Sequence, residues 1–181
     1  SSPTVVGSQV TLTVTGGTNG DSVAVVCQVD KSGATITRKA KTLVPSATAT
    51  FTTQATAQAR TLSLGHADGY RLISVKMKSG TFSSAGSTYS IDITDRYDFD
   101  NGQRSTHYDL GRIVLKDTYA PPSAPVRVTF EYFTHSVGDY CSINSYPATI
   151  SYKDLPSILR DTLDFRPRMD DDGNFSTVTM L

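Results

Sequence analysis

The segment Val126-Arg-Val-Thr-Phe-Glu-Tyr-Phe133 decides the fold class, because its residues alternate as the residues of a β-strand do. One side of the predicted strand carries Val126, Val128, Phe130 and Tyr132. The other side carries Arg127, Thr129, Glu131 and Phe133. Such a strand has one apolar face, and it indicates a sheet that packs on one side.

The composition of the whole chain agrees with a mainly β fold. Ser and Thr supply 46 of the 181 residues, and Glu131 is the single glutamate. This mixture disfavours helical bundles and coiled coils, and it favours short strands with polar faces. No run of about 18 apolar residues is present, so we expect no membrane partner. The formal net charge of zero removes the electrostatic argument for a nucleic-acid partner.

Charge divides the chain into two predicted modules. Residues 1–92 carry a net charge of +4, and residues 93–181 carry a net charge of −4. Cys27 and Cys141 lie in different modules; we expect two reduced thiols, with a disulfide between the modules as the alternative. The chain opens without a signal sequence or Met, and it ends on a strand-like segment. We therefore expect a fragment of a longer polypeptide.

Residues 1–92 have the strand spacing of an immunoglobulin-like β-sandwich. Turn-forming residues separate seven predicted strands: Gln9–Thr15, Ser22–Val29, Thr35–Leu43, Thr48–Thr53, Arg60–Leu64, Tyr70–Met77 and Thr88–Ile93. The stretch Leu64-Gly-His-Ala-Asp-Gly-Tyr70 resembles the tyrosine corner of fibronectin type III domains. The resemblance implies that the Tyr70 hydroxyl bonds to the backbone upstream, the alternative being a surface aromatic.

Residues 93–181 form a second β-rich module with one short helix. Gly111–Lys116 is a predicted strand in addition to the segment quoted above, and residues 95–104 have the composition of turns. A helix is predicted near residues 155–163, because Asp154 caps it and four apolar residues share one face.

Four motifs of this module resemble a family of large virion structural proteins of contractile-tailed bacteriophages. They are Asp100-Asn-Gly-Gln-Arg104, Tyr108-Asp109 with Gly111-Arg-Ile113, Phe130-Glu-Tyr-Phe-Thr-His-Ser136 with Gly138-Asp-Tyr140, and Leu159-Arg-Asp-Thr-Leu-Asp-Phe-Arg-Pro-Arg168. The resemblance spans residues 93–172. It implies a baseplate or tail-fibre-associated structural role, and it supplies no catalytic residues.

Arginine and aspartate are concentrated in the same module, which predicts ion pairs that tie loops to the sandwich. The candidates for such a structural or interface role are Arg104, Asp161, Asp164, Arg166 and Arg168, together with Tyr70. The alternative for these charges is an acidic contact face for a neighbouring subunit.

The sequence gives little indication of a metal site or of a catalytic site. Asp98–Gly102 and Asp170–Asn174 resemble calcium loops, but each departs from the loop spacing, so we expect no metal or cofactor. His107 and His135 each lie near a carboxylate in sequence, yet no nucleophile motif accompanies them. We therefore expect no enzyme.

The sequence thus predicts a virion protein that is assembled in the host cytoplasm and binds other tail or baseplate subunits in an oligomeric assembly. A capsid or neck decoration protein is the structural alternative. A carbohydrate-binding module that contacts host-surface glycans is the alternative from another class. Its candidate aromatic platform comprises Tyr97, Tyr108, Tyr140 and Tyr146.

Overall fold

The computed structural model describes residues 4–6, 9–11, 35–155 and 162–175. The chain divides into two compact units, one of residues 1–35 with 177–181 and one of residues 36–176. In the first unit, β1 (Thr4–Val6) and β2 (Gln9–Thr11) pair antiparallel. The rest of the predicted strand Gln9–Thr15, the strand at Ser22–Val29 and Cys27 lie outside the described residues.

The second unit is built from two antiparallel sheets. Its described strands are β3 (Lys41–Phe51), β4 (Thr61–Ala67), β5 (Gly69–Gly80), β6 (Ala85–Asp92), β7 (Tyr97–Asp100), β8 (Leu110–Leu115) and β9 (Val126–His135). Four of them form a sheet in the order β3-β9-β5-β6, and three form a sheet in the order β4-β8-β7. The mainly β class is thereby confirmed.

The helices of the described residues are short. A single turn of α-helix, α1 (Gln54–Ala57), begins where the Thr53 side chain accepts a hydrogen bond from the backbone N–H of Thr56. Three 3₁₀ turns cover Thr94–Arg96, Ile143–Ser145 and Tyr152–Asp154. The helix predicted near residues 155–163 falls mostly on residues 156–161, outside the described residues, and its flanking Leu155, Thr162 and Leu163 are not helical.

The structure corrects the division at residues 92/93. Strands from both sides of that position pair directly, since β9 lies between β3 and β5 in one sheet and β8 pairs with β4 in the other. Hydrogen-bonded ladders make these segments one unit, and the chain divides near residue 35 instead. The charge asymmetry therefore marks two regions of one folded unit.

One hydrophobic core is shared by the two sheets. Its buried members come from both: Leu62, Leu64, Val75, Met77, Ile93, Tyr97, Ile113, Leu115, Val126, Val128 and Phe130, with Ala57 and Ala124. The period-2 alternation therefore predicts the inward face of β9 correctly as far as Phe130. Tyr97 belongs to β7, a strand that the turn-like composition of residues 95–104 conceals.

The far end of β9 is buried on both faces. Phe133, predicted on the polar side, is 2 % exposed, because the rings of Tyr70 and Tyr146 each lie 5.2 Å from its ring centroid. Glu131 is also buried and pairs with Arg71 at 2.6 Å. A second layer of residues therefore covers this end of the sheet, and the functional groups of the unit gather there.

Two predicted strands, Thr35–Leu43 and Thr48–Thr53, contribute to the one long strand β3. A bulge between Val44 and Ala47 lets this strand continue through Pro45, and Ser46 adopts a φ of 56° there. Proline is tolerated because β3 is an edge strand.

Candidate functional site

Asp68 is the residue at which the chain crosses from one sheet to the other. It separates β4 from β5 and has a φ of 61°, a left-handed conformation that aspartate tolerates better than most residues. Its backbone carbonyl accepts a hydrogen bond from Phe133 N–H at 3.0 Å. The crossing places the Asp68 side chain, 2 % exposed, inside the unit.

The Asp68 carboxylate accepts three hydrogen bonds from distant segments. Lys41 Nζ lies 2.8 Å from Oδ2, His135 Nε2 lies 2.7 Å from the same oxygen, and Gln103 Nε2 lies 2.5 Å from Oδ1. Lys41 opens β3 and His135 closes β9, where the two are direct register partners. The pairing of β3 with β9 therefore places the Lys41 ammonium and the His135 imidazole beside one carboxylate.

Lys41 is buried, and its Nζ donates hydrogen bonds to three side chains. Besides Asp68, its Nζ donates to the hydroxyls of Tyr108 and Tyr146, each at 3.1 Å. Its Nζ also lies 4.4 Å from the Tyr108 ring centroid and 4.6 Å from that of Tyr146. These cation–π contacts add to the pairing that a desolvated ammonium requires.

A second ion pair lies beside the first. Arg166 donates to Asp164 through Nε at 3.0 Å and through Nη2 at 2.9 Å, and the backbone N–H of Arg166 donates to the same carboxylate. The Tyr108 hydroxyl also donates to Asp164. Asp164 is positioned by reciprocal backbone hydrogen bonds with Cys141, both 2.8 Å long.

Two groups connect these ion pairs into a closed cycle, which we call the buried polar ring. The Tyr108 hydroxyl joins Lys41 to Asp164, and the Gln103 amide joins Asp68 to Arg166, whose Nη2 donates to Gln103 Oε1 at 2.9 Å. Its members are Lys41, Asp68, Gln103, Arg166, Asp164 and Tyr108. Two positive and two negative charges balance within it, as a buried network requires.

The ring holds its acids ionised. Burial opposes the charge of each group, but the attraction of Lys41 lowers the pKa of Asp68, and that of Asp68 raises the pKa of Lys41. At Asp164 burial is likewise outweighed, because hydrogen bonds from Arg166 and Tyr108 lower the pKa of its carboxyl to about 2. As free carboxyl groups, both aspartates therefore carry a full negative charge at neutral pH.

The Tyr108 hydroxyl of the ring and three groups next to the ring are held neutral. Burial lowers the pKa of His135 and raises the pKa values of Tyr108, Tyr146 and Cys141. The Nδ1 atom of His135 is buried and has no hydrogen-bond partner among the described residues. A neutral imidazole with its proton on Nε2, toward Asp68, satisfies this geometry, whereas an imidazolium would leave a buried N–H unpaired.

A second network of charges, the arginine–aspartate cluster, lies at the surface. Arg104 pairs with Asp100 at 2.7 Å and with Asp109 at 3.1 Å, and Arg112 contacts the same two carboxylates. Gly102 makes the turn between them with a φ of +78°, and a Cβ there would lie 2.0 Å from the carbonyl oxygen of Asp109. The cluster ties the loop after β7 to the start of β8.

The structure gives each candidate of the arginine network a place. Asp164 and Arg166 pair with each other in the buried polar ring, and Arg104 lies in the arginine–aspartate cluster. Arg168 donates to the carbonyl oxygens of Met169 and Ala67 at the end of β4. Asp161 lies outside the described residues.

Tyr70 makes packing contacts beside the corner between the two sheets. Its ring packs on Phe133, and Arg71 lies 5.7 Å from its centroid. Asp68, two residues earlier, makes the corner between the sheets with a left-handed φ of 61°.

The four tyrosines of the glycan alternative do not form an exposed platform. Tyr97 and Tyr108 are 4 % and 0 % exposed, so neither ring face is open to a sugar. Tyr146 directs its hydroxyl to Lys41, and the ring of Tyr140 packs at 5.8 Å from that of Phe165. Tyr97 lies in the hydrophobic core, Tyr108 forms isolated bridges with Gln103 and Arg168, and Tyr140 and Tyr146 are half-buried.

The two calcium-like loops have internal roles. Asp100 is bound by arginine, and Asp98 is exposed, with Lys116 at 3.6 Å. In the later loop Asp170 Oδ1 accepts hydrogen bonds from the backbone N–H groups of Asp172 and Asn174, which closes a turn. Over the described residues, no group of three or more His, Cys, Asp or Glu could hold a metal ion.

Three ring members and one neighbour escaped sequence reasoning. Lys41, Asp68 and Gln103 are separated by tens of residues and carry no shared motif. The carboxylate that follows His135 in the sequence is Asp139, whereas its partner in the structure is Asp68. The sequence does show polar residues at the ends of predicted strands, which could have indicated a polar site. A single sequence does not show which strands pair, and the pairing of strands is what brings Lys41 opposite His135.

Searches against protein-family models, curated proteins and solved structures found no match in any of the three comparisons. None of the helices in the described part of the chain has the length and apolarity needed to cross a membrane.

Proposed function

We propose that the chain is a structural component of a bacteriophage tail, in a baseplate or at a tail-fibre attachment, and that it acts by protein–protein assembly. It is assembled in the host cytoplasm into the virion. The motif resemblance over residues 93–172 supports the family, and one structural observation, the open edge of β6, supports the mechanism.

Strand β6 (Ala85–Asp92) is an edge strand that carries little charge. It pairs with β5 on one side, and no described strand lies on its other side. It contains no proline, lysine or arginine, and its only charge is the terminal Asp92. Proline and lysine are among the residues that normally block natural edges, and β3 has Pro45 in its bulge. The pairing of β6 with β5 also has register shifts, but the strand lacks such residues, and an edge of this composition suits the addition of a strand from another subunit.

The sheet face next to this edge is basic. Lys78 and Arg127 lie on the face away from the core, with Lys78 Nζ 5.1 Å and Arg127 Cζ 4.7 Å from the ring centroid of Tyr89 on β6. Lys76 is the register partner of Arg127 on the same face. We therefore assign to this edge an extended segment of a neighbouring virion subunit that carries carboxylates beside its strand.

The burial and hydrogen bonding of the polar groups also fit a structural role. In the buried polar ring each carboxylate is bound by at least three donors, and its lysine and both aspartates are buried. Groups that neutralise one another away from solvent fix the geometry of a protein, whereas a hydrolytic site needs a base that reaches a substrate. We propose no enzymatic turnover for this unit.

The test compares two pairs of lysine substitutions in a phage complementation assay. Thr88→Lys with Ser90→Lys blocks the edge of β6, and Thr48→Lys with Thr50→Lys places the same charges on the edge strand β3. All four positions are exposed. We expect the β6 variant to be lost from purified tails, as measured by quantitative mass spectrometry, while the β3 variant is incorporated normally.

Circular dichroism of both variants checks that they fold. Equal incorporation of the two folded variants would contradict the edge mechanism. A cryo-EM map of the particle tests the location itself. Density for the chain in the capsid or neck would favour the decoration alternative, and its absence from purified virions would refute the structural proposal.

A further inference from the structure

The Lys41 and Asp68 side chains are held together where neither can reach water. Lys41 Nζ lies 2.8 Å from Asp68 Oδ2, and the two side chains are 0 % and 2 % exposed. Their backbones are fixed independently, Lys41 by its register with His135 on β9 and Asp68 by the hydrogen bond from Phe133 N–H. An amine and a carboxyl group in such permanent contact have the proximity that an intramolecular reaction requires.

Aromatic rings surround the amine and lower the polarity of its environment. Besides Tyr108 and Tyr146, the ring of Phe133 lies 5.9 Å from Lys41 Nζ. A buried ion pair loses much of its hydration, and a neutral amide between the two side chains removes both charges. Burial by itself brings the ion pair closer in energy to the neutral amine and carboxylic acid, the forms that react with each other, while the attraction between the two groups favours their charged forms.

We propose that Lys41 and Asp68 form an intramolecular isopeptide bond. A bond forms between Lys41 Nζ and Asp68 Cγ, and the bond between Cγ and Oδ2 breaks. The ammonium gives up two protons, which leave with Oδ2 as one molecule of water, and Nζ keeps the third as the amide proton. Positive and negative charge cancel, so the step needs neither an oxidant nor a co-reactant.

The neighbouring groups contact the atoms at which charge and protons move. Gln103 Nε2 donates to Oδ1, which stays as the amide oxygen, and stabilises the negative charge that develops there. His135 Nε2 lies 2.7 Å from the leaving Oδ2. The Tyr108 hydroxyl, 3.1 Å from Nζ and bonded to Asp164, gives the amine a path along which a proton leaves and returns.

This inference is independent of the assembly proposal, and intact-mass spectrometry of the full, folded chain tests it. We expect a mass below that of the sequence by one water molecule, and a branched proteolytic peptide that joins the segments of Lys41 and Asp68. Lys41→Arg and Asp68→Ala each restore the full mass, whereas Lys39→Arg, on the neighbouring residue, keeps the loss. Asp68→Asn loses ammonia in place of water.

The wild-type chain alone decides the question, so misfolding of a variant does not affect the outcome. The unmodified mass in a sample that circular dichroism shows to be folded would overturn the proposal. A loss of water that maps to any other pair of residues would overturn it as well. His135→Ala is expected to slow the appearance of the lighter species after refolding by at least tenfold, since it removes the group on the leaving oxygen.

Discussion

Replacing Asp164 by asparagine tests the electrostatics of the buried polar ring most directly. The substitution keeps the shape of the side chain and removes its charge, while Arg166 stays 12 % exposed beside it. The pKa of Asp164 falls from its usual 3.8 to about 2 in the folded chain. By linkage, that drop contributes about 2.5 kcal/mol to the free energy of unfolding at neutral pH.

The sign of the pH dependence follows from the direction of the shift. A carboxyl group with a depressed folded-state pKa stabilises the protein above its unfolded pKa, and the contribution disappears as the pH falls through the folded value. We therefore expect Asp164→Asn to lower the free energy of unfolding by about 2.5 kcal/mol at pH 7, with about half of that difference lost by pH 3.

Urea unfolding followed by circular dichroism, from pH 7 to pH 3, measures the difference. Asp172→Asn, at an exposed position, is the matched control and is expected to leave the free energy of unfolding unchanged within about 0.5 kcal/mol. Parallel curves for the wild type and Asp164→Asn over this pH range, or a difference below about 1 kcal/mol at pH 7, would refute the reasoning.

Three further predictions concern single positions. Gly102→Ala should lower the free energy of unfolding by about 2 kcal/mol or more in urea, because its φ is +78° and the added Cβ meets the Asp109 carbonyl; an unchanged midpoint would contradict this. Tyr97→Phe should be neutral or stabilising in a thermal melt, since the buried hydroxyl has no partner among the described residues, whereas Tyr97→Ala should cost about 3–5 kcal/mol. In a Cys27→Ser background, the buried Cys141 thiol, whose pKa is raised by burial, should react with a thiol reagent only on unfolding, and rapid reaction in buffer would be inconsistent with its placement.

Local features of the fold could be predicted from the sequence. The alternation of Val126, Val128 and Phe130 identifies the inward face of β9, and residues 95–104, which have the composition of turns, contain the turn at Gly102. Such features depend on neighbours within a few residues. The residues of a strand and of its turns are therefore enough to predict such local features.

Long-range features could not be predicted, because they depend on which strands pair. Nothing near Lys41 in the sequence shows that it lies opposite His135, and nothing near Tyr108 shows that it is fully buried. Asp164 and Arg166 are candidates because arginine and aspartate are concentrated in this part of the chain, whereas the Gln103 amide that joins them to Asp68 is more than 60 residues from Arg166.

The buried polar ring can be completed only late in the synthesis of the chain. It joins Lys41, near the start of the second unit, to Arg166, near its end, and Gln103 and Tyr108 in between bridge the two. During translation the strands β3 to β9 emerge before Asp164 and Arg166. Tyr108 and Gln103 therefore lack these hydrogen-bond partners until the ribosome has made nearly the whole unit. The ring is thus completed late, and a nascent chain that stalls before Asp164 holds its polar groups unpaired, in a form that chaperones and proteases recognise.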